Sequence, residues 1–162
     1  MRVIKDNQII EDQWQRLEKI EPDQKLPNGD IIVPFAYWRA NRETLLDRNG
    51  NTAIFIMGDD KIDEVAGVAS QFDLIALEFP LFKDGRCYSH ARLLKERYGY
   101  KGELRAVGDV LRDQLFFMKR CGIDSFQLKA EKDMQDALKS FNDFTVKYQT
   151  ATDAAPPIYK LR

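Results

Sequence analysis

Short apolar runs alternate with segments of helical periodicity from residue 52 onward, and this alternation restricts the fold more than any other feature of the sequence. Ala53–Met57 and Leu74–Leu77 are continuous apolar runs, which are typical of strands buried on both faces. Glu103–Val107 and Ser125–Leu128 are two further predicted strands, and Thr145–Tyr148 is a candidate for a fifth. Strands that alternate with helices in this way predict βαβ units, a mostly parallel sheet and right-handed crossovers.

Helices fill the intervals between the predicted strands. Residues 62–69 and 134–141 each carry apolar side chains three and four positions apart, which is the spacing of one helix face. A helix is predicted from about residue 85 to 97, and another from about 110 to 120 with Asp109 as its candidate N-cap.

The predicted fold is α/β, with a mostly parallel sheet of about four or five strands and alternating helices. Two arrangements remain open: an open doubly wound sheet, which is the default, and a half-barrel, which would need a partner to cover its open edges. Residues 1–33 predict a small β-rich N-terminal segment, and residues 36–48 an amphipathic helix. Residues 1–148 are expected to form one domain, and residues 149–162 a mobile tail.

Composition excludes several classes of protein. The chain has 162 residues, the usual size of one domain, and its 25 basic and 26 acidic side chains argue against a nucleic-acid binder. Its apolar runs are far shorter than the roughly 18 residues of a membrane helix, and no apolar signal region opens the chain. The sequence therefore predicts a cytoplasmic protein that binds neither nucleic acid nor membrane.

The cysteine and histidine content restricts redox and metal chemistry. Cys87 and Cys121 are too few for a four-thiolate iron–sulfur cluster or a Cys-rich zinc site. They are expected at opposite edges of the sheet, so no disulfide is predicted. Cys87 lies at a helix start, where its pKa would be lowered, but a small buried side chain is the favoured interpretation. His90 is predicted to be a solvated helix residue.

Ligands of parallel sheets bind beyond the carboxyl ends of the strands, which directs attention to Asp84–Arg92. Helix starts attract anions, Gly85 allows close approach of the backbone, and the planar guanidinium of Arg86 suits an oxyanion. A structural interpretation, in which Asp84 caps the helix and Tyr88 is a core aromatic, is favoured by the pattern alone. Neither a P-loop nor a dinucleotide-binding glycine motif is present.

A second group follows the third predicted strand. Glu103 and Arg105 alternate with apolar residues and share one strand face, so Arg105 is either buried against a carboxylate or directed at a ligand. Asp109 most simply caps the next helix, and Asp113 lies one turn further, which is a weak metal signal without a third ligand. No metal site and no catalytic residue is assigned. The candidate ligand-binding residues are Asp84, Gly85, Arg86, Tyr88, Ser89, Arg92, Arg105, Gly108, Asp109, Asp113 and Gln114.

The run Phe79–Leu94 resembles a bacterial family of unknown function, catalogued as domain of unknown function 934. The resemblance extends over nearly the whole chain except the tail. Further similar runs are Leu26–Asp30, Val33–Pro34, Tyr98–Leu111, Asp113–Leu115 and Arg120–Asp124.

Members of this family are commonly labelled as oxidoreductases of sulfite reduction. The resemblance thus implies a pathway, bacterial assimilation of inorganic sulfur, and carries over no catalytic residue. Sulfite reduction needs six electrons delivered through cofactors, and cofactors impose recognisable binding features that are not evident here. FMN, FAD and NADPH stay open, since an α/β sheet can hold FMN at its switch point.

Three functions follow as hypotheses. The first is an accessory protein of sulfite reduction that binds the reductase or its electron donor. The alternative is an enzyme or sensor that binds a small oxyanion at the carboxyl end of the sheet. The third is a flavin- or nicotinamide-dependent oxidoreductase. The sequence does not decide whether the protein is an enzyme or whether it forms a homo-oligomer.

Overall fold

The computed structural model describes residues 1–21, 24–81, 83–142 and 150–152. The candidate strand at 145–148 lies outside the described residues, as does most of the predicted tail. One mixed sheet of eight strands contains every described strand. The strands are β1 (Arg2–Lys5), β2 (Gln8–Glu11), β3 (Gln15–Arg16), β4 (Ile31–Pro34), β5 (Thr52–Ile56), β6 (Leu74–Phe79), β7 (Glu103–Gly108) and β8 (Ser125–Phe126).

Short helices connect the strands. The amphipathic segment predicted at 36–48 forms two helices, because Asn41 interrupts it and its side-chain amide donates to the carbonyl of Tyr37 at 2.9 Å. The π-helical turn Leu93–Arg97 continues the fourth helix, and 3₁₀ turns cover Ala69–Gln71, Arg112–Gln114 and Ser140–Asn142. The helices are α1 (Phe35–Ala40), α2 (Arg42–Leu46), α3 (Ile62–Ala66), α4 (Arg86–Arg92), α5 (Leu115–Arg120) and α6 (Met134–Lys139).

The strand order decides between the two predicted arrangements. Along the sheet it is β2-β1-β8-β7-β6-β5-β4-β3, and β3 to β8 are parallel to one another. Each crossover from β3 to β8 therefore steps in the same direction, whereas a doubly wound sheet reverses direction at its switch point. The half-barrel prediction is confirmed. The N-terminal segment belongs to the same sheet, because β1 pairs with β8 and β4 pairs with β5.

The sheet is strongly curled. Its two edge strands, β2 and β3, are joined by only three residues, Asp12–Trp14. A flat sheet of eight strands is about 34 Å wide at about 4.8 Å per strand spacing. Four residue steps reach at most about 15 Å. The two edges must therefore curl toward each other, and the chain itself bridges the gap that was expected to need a partner.

Alternation along the strands divides the core into two parts. On the convex face, side chains such as Ile54, Ile75 and Leu104 pack against the helices. On the concave face lies a separate apolar cluster that contains no helical residue among those described. We call this cluster the apolar floor: Ile32, Ala53, Phe55, Leu74, Ala76 and Val107.

Candidate functional site

The predicted ligand-binding residues are distributed over four places rather than gathered into one. The first is the start of α4, and the second is the exposed surface between α4 and α5. The third is the concave face, which contains Arg105. The fourth is the loop from β7 to α5, which contains or adjoins Gly108, Asp109 and Gln114.

At the start of α4, the charge of Arg86 is neutralised by Asp84. The Asp84 carboxylate accepts hydrogen bonds from Arg86 Nε at 3.0 Å and from its terminal guanidinium nitrogen at 2.7 Å. These bonds lower the pKa of Asp84 to about 2. Gly85 occupies the N-cap position. The Arg86 side chain is 57% exposed and passes over Gly58, where an added Cβ would lie 2.6 Å from Nε.

His90 lies one helical turn beyond Arg86 and is half-buried, not solvated as the sequence predicted. Its Nδ1 atom is buried and has no hydrogen-bond partner among the described residues. Burial lowers the pKa of His90, while the nearby carboxylates of Asp60 and Asp84 partly oppose this shift. The imidazole is therefore neutral at pH 7.

Between α4 and α5, three aromatic rings extend from the core to the surface. Buried Phe79 contacts Tyr88 at 5.0 Å between ring centroids, and Tyr88 contacts Phe117 at 5.2 Å. Burial raises the pKa of Tyr88 to about 12, and the charge of Asp113 contributes. Phe117 is 56% exposed although it is a large apolar side chain. We call Tyr88, Arg92, Asp113 and Phe117 the aromatic face.

Ser89 and Arg92 lie on α4 with Tyr88. Ser89 is exposed and follows Tyr88 directly. Arg92 lies one turn beyond Tyr88, and its Nε donates to the Glu96 carboxylate at 3.0 Å. Both partners of this ion pair are exposed, so the pair contributes little to stability.

Arg105 is buried against carboxylates, which is one of the two alternatives that the sequence left open. It is 2% exposed, and its guanidinium contacts Asp12 at 2.8 Å and Glu103 at 2.8 Å. Burial opposes ionisation of Glu103, but bonds from Lys5 and Ser125 and the charge of Arg105 outweigh it, so the pKa of Glu103 is lowered. The arginines at 86, 92 and 105 therefore do not converge on one anion.

The loop after β7 differs from the prediction. The helical segment begins at Arg112 as a 3₁₀ turn, so Asp109 is not its N-cap, and the prediction of that role is wrong. Asp109 instead pairs with Lys129 at 2.8 Å. Gln114 accepts a bond from the Leu111 backbone at 3.3 Å, which holds the start of the turn.

Gly108 ends β7 in the left-handed region, with φ of +93°. An added Cβ would lie 2.5 Å from the Phe79 carbonyl oxygen and 2.6 Å from Glu78 Oε1. Glycine is therefore required for strands β6 and β7 to end side by side.

Sequence reasoning missed Glu78, which lies at the carboxyl end of the central strand β6. Its side chain is 16% exposed and pairs with Arg16 from β3. Burial raises the pKa of Glu78 although Arg16 acts in the opposite direction. A charged residue immediately after the apolar run Leu74–Leu77 was the available signal.

Both cysteines are buried and free, so they form no disulfide. The Cys87 thiol donates to the carbonyl of Glu78 at 3.1 Å. Burial raises the pKa of Cys87 to about 12, which is opposite to the lowering considered for a helix start. The buried interpretation of Cys87 therefore fits, and the thiol is protonated at pH 7.

Two cavities lie at the opposite, amino-terminal edge of the sheet. One of about 320 Å³ lies between the β1–β2 turn and the segment before β8, and one of about 430 Å³ lies before β7. Among the described residues, no three or more His, Cys, Asp or Glu side chains form a group that would hold a metal ion. In that same part of the chain, no helix has the length and apolar character to cross a membrane.

A family model for a bacterial protein of unknown function, DUF934, matches residues 53–159. No curated protein and no solved structure matches the chain.

Proposed function

The chain belongs to DUF934, a bacterial family of unknown function, and on that premise we propose that it is an accessory protein of assimilatory sulfite reduction. It acts by binding the sulfite reductase or the electron donor of that enzyme. The label carried by sequences that this chain resembles supports the pathway. The exposed aromatic face supports the proposal that the chain acts by binding another protein.

The observation that carries the proposal is the exposed ring of Phe117. The ring of Phe117 is held in place by the core, because Phe117 packs on Tyr88 and Tyr88 packs on buried Phe79. Protein interfaces are enriched in aromatic residues and arginine, and their strongest contributors are rigid aromatic side chains near the centre of the contact. Arg92 lies one helical turn beyond Tyr88 on α4 and is exposed. A surface of this composition is suited to a protein partner.

Binding of the purified reductase and of its purified electron donor to the immobilised full-length chain tests the proposal. Phe117→Ser is expected to weaken binding by at least about tenfold, as loss of an interface centre does. Leu46→Ser is the matched control, because Leu46 is 82% exposed but lies on α2. Absence of binding by both purified proteins contradicts the proposal, and equal effects of the two variants contradict the role of the aromatic face.

A second candidate function is an enzyme or sensor that binds a small oxyanion beyond the carboxyl end of β6. The unpartnered Nδ1 of His90 favours it, and the exposed Arg86 guanidinium would have to exchange its partner Asp84 for the oxyanion. Thermal-shift measurements with sulfite, sulfate, phosphate and adenylylated sulfates test it, and FMN, FAD and NADPH test the oxidoreductase alternative. A shift that Arg86→Ala abolishes would replace the accessory function by this one.

A further inference from the structure

The cavity of about 430 Å³ at the amino-terminal edge of the sheet is a separate candidate for a binding site. It is formed by the segment that joins α3 to β6 and by the segment that precedes β7. Its volume is within the range of about 300–1,000 Å³ that is typical of small-molecule sites. The residues that line it do not include those of the aromatic face, so the cavity is distinct from the partner surface.

The inner wall of the cavity is aromatic, and hydrogen bonds hold its rings in place. Phe72 and Tyr100 are buried, and the Tyr100 hydroxyl donates to the Phe72 carbonyl at 3.0 Å. Tyr98 also lines the cavity, and its hydroxyl donates to the carboxylate of Asp63 on α3. Because these rings are already fixed, a ligand that packs on them would lose little binding free energy to their ordering.

Gly102 brings the two segments of the cavity close together. A Cβ added to Gly102 would lie 2.8 Å from the carbonyl oxygen of Asp73 and would overlap the hydroxyl of Tyr100. The same Asp73 carbonyl accepts a hydrogen bond from the backbone of Glu103 at 2.8 Å. Asp73 is thereby fixed next to the loop that carries Lys101.

Three polar side chains that line the cavity lack partners. The Ser70 hydroxyl, the Asp73 carboxylate and the Lys101 ammonium form no hydrogen bond or ion pair within the part of the chain that the structure describes. The pKa of Tyr100 is raised by burial and by the charge of Asp73, which indicates that this carboxylate lies near the inner wall. Since Asp73 and Lys101 line one cavity without contacting each other, a ligand that carries both charges can bridge them.

We propose that this cavity binds a free α-amino acid with an apolar side chain. Asp73 accepts hydrogen bonds from the α-ammonium group, and Lys101 pairs with the α-carboxylate. The side chain of the ligand packs on Phe72 and Tyr98. A zwitterion satisfies both charges of the cavity, whereas a ligand with a single charge leaves one of them unpaired. The site does not depend on the proposed accessory function.

Titration calorimetry of the wild-type chain with L-phenylalanine, L-leucine and L-methionine tests the proposal, and saturable binding at one site is expected. L-phenylalaninamide lacks the carboxylate and N-acetyl-L-phenylalanine lacks the ammonium group. Each should bind at least about tenfold more weakly than L-phenylalanine, since each loses a bond between charged groups. Absence of saturable binding by all three amino acids, or equal binding of L-phenylalanine and its two derivatives, would overturn the proposal.

Two variants at exposed positions locate the bound amino acid. Asp73→Asn should weaken binding of L-phenylalanine at least about tenfold and leave that of N-acetyl-L-phenylalanine unchanged. Lys101→Ala should weaken L-phenylalanine to a similar extent and leave L-phenylalaninamide unchanged. Asp47→Asn and Lys19→Ala are the matched controls, because both residues are exposed and neither lines this cavity.

The controls should bind L-phenylalanine as wild type does. Equal losses in the controls and in the cavity variants would mean that only the net charge of the protein matters, and would contradict the site. Unchanged binding in both cavity variants would place the amino acid elsewhere and would also contradict it. Phe117→Ser should leave amino-acid binding unchanged, which separates this site from the partner surface.

Discussion

The convex and concave faces of the curled sheet are stabilised in different ways. The convex face is apolar and is covered by helices that follow each strand. The concave face combines the apolar floor with three long-range ion pairs, Lys5–Glu103, Asp12–Arg105 and Arg16–Glu78. Each pair joins the first sixteen residues to β6 or β7. The convex face is thus covered by helices that are adjacent to its strands in the chain. The concave face is held by ion pairs between residues that are far apart in sequence.

The largest expected effect of a substitution is at the centre of the concave face. Arg105→Ala leaves the carboxylates of Asp12 and Glu103 buried without their cation, and should cost about 3–5 kcal/mol of unfolding free energy in urea. Leu104→Ala is the convex-face comparison, at about 2–5 kcal/mol from the cavity that it creates. A cost below about 1 kcal/mol for Arg105→Ala would show that the charges are not essential to this face.

A smaller effect is expected where the two central strands end. Gly108→Ala forces a Cβ against the Phe79 carbonyl at a positive φ, and should cost about 1–3 kcal/mol in thermal or urea unfolding. Gly99→Ala is the control, because Gly99 also has a positive φ, of +65°, but no heavy atom lies within 4 Å of its added Cβ. Equal losses for the two variants would contradict the contact with Phe79.

The two glutamates of the concave face should respond to pH in opposite directions. The lowered pKa of Glu103 gives stability that is present above about pH 4.5 and is lost as the pH falls through the folded-state value. The raised pKa of Glu78 makes stability fall as the pH rises from about 4.5 through its folded-state value.

Urea unfolding of wild type, Glu103→Gln and Glu78→Gln between pH 3 and 7 measures both contributions. Glu103→Gln should reduce the loss of unfolding free energy as the pH falls below about 4.5. Glu78→Gln should reduce the loss of unfolding free energy as the pH rises above about 4.5. If the contributions of both glutamates to the unfolding free energy change with pH in the same direction, then Arg16, not burial, controls the ionisation of Glu78.

The smallest expected effect is on the aromatic face. Arg92→Ala removes an exposed ion pair with Glu96 and should change the unfolding free energy by at most about 0.5 kcal/mol. The same variant should weaken partner binding measurably. A large stability loss with unchanged binding would make Arg92 a structural residue.

Sequence reasoning predicted the convex face well because local patterns create it. The runs at Ala53–Met57 and Leu74–Leu77 form β5 and β6, and the helix predicted at 85–97 forms α4 with its π-helical continuation. Apolar periodicity carries this information directly. The sheet order was left open, since periodicity does not report which strands are neighbours.

The concave face could not be predicted from local patterns. Arg105 was recognised as paired or functional, but Asp12 lies 93 positions earlier and no local signal connects the two. Glu78 was overlooked because its partner, Arg16, lies 62 positions earlier in the chain. Asp109 was assigned a capping role because the helix was expected two residues too early. The errors thus concentrate where contacts are non-local.

The pairing of β1 with β8 also bears on how the chain is made. The first strand leaves the ribosome early, but its neighbour ends at Phe126, so the sheet is incomplete until about 120 more residues have been added. At about 5–20 residues per second, this interval is about 6–24 s. During this interval, Asp12 cannot yet pair with Arg105, and Lys5 cannot yet pair with Glu103. The strands synthesised between them can already pair with one another. The central strands of the sheet can therefore pair first, and β1 is added last, when β8 has been synthesised.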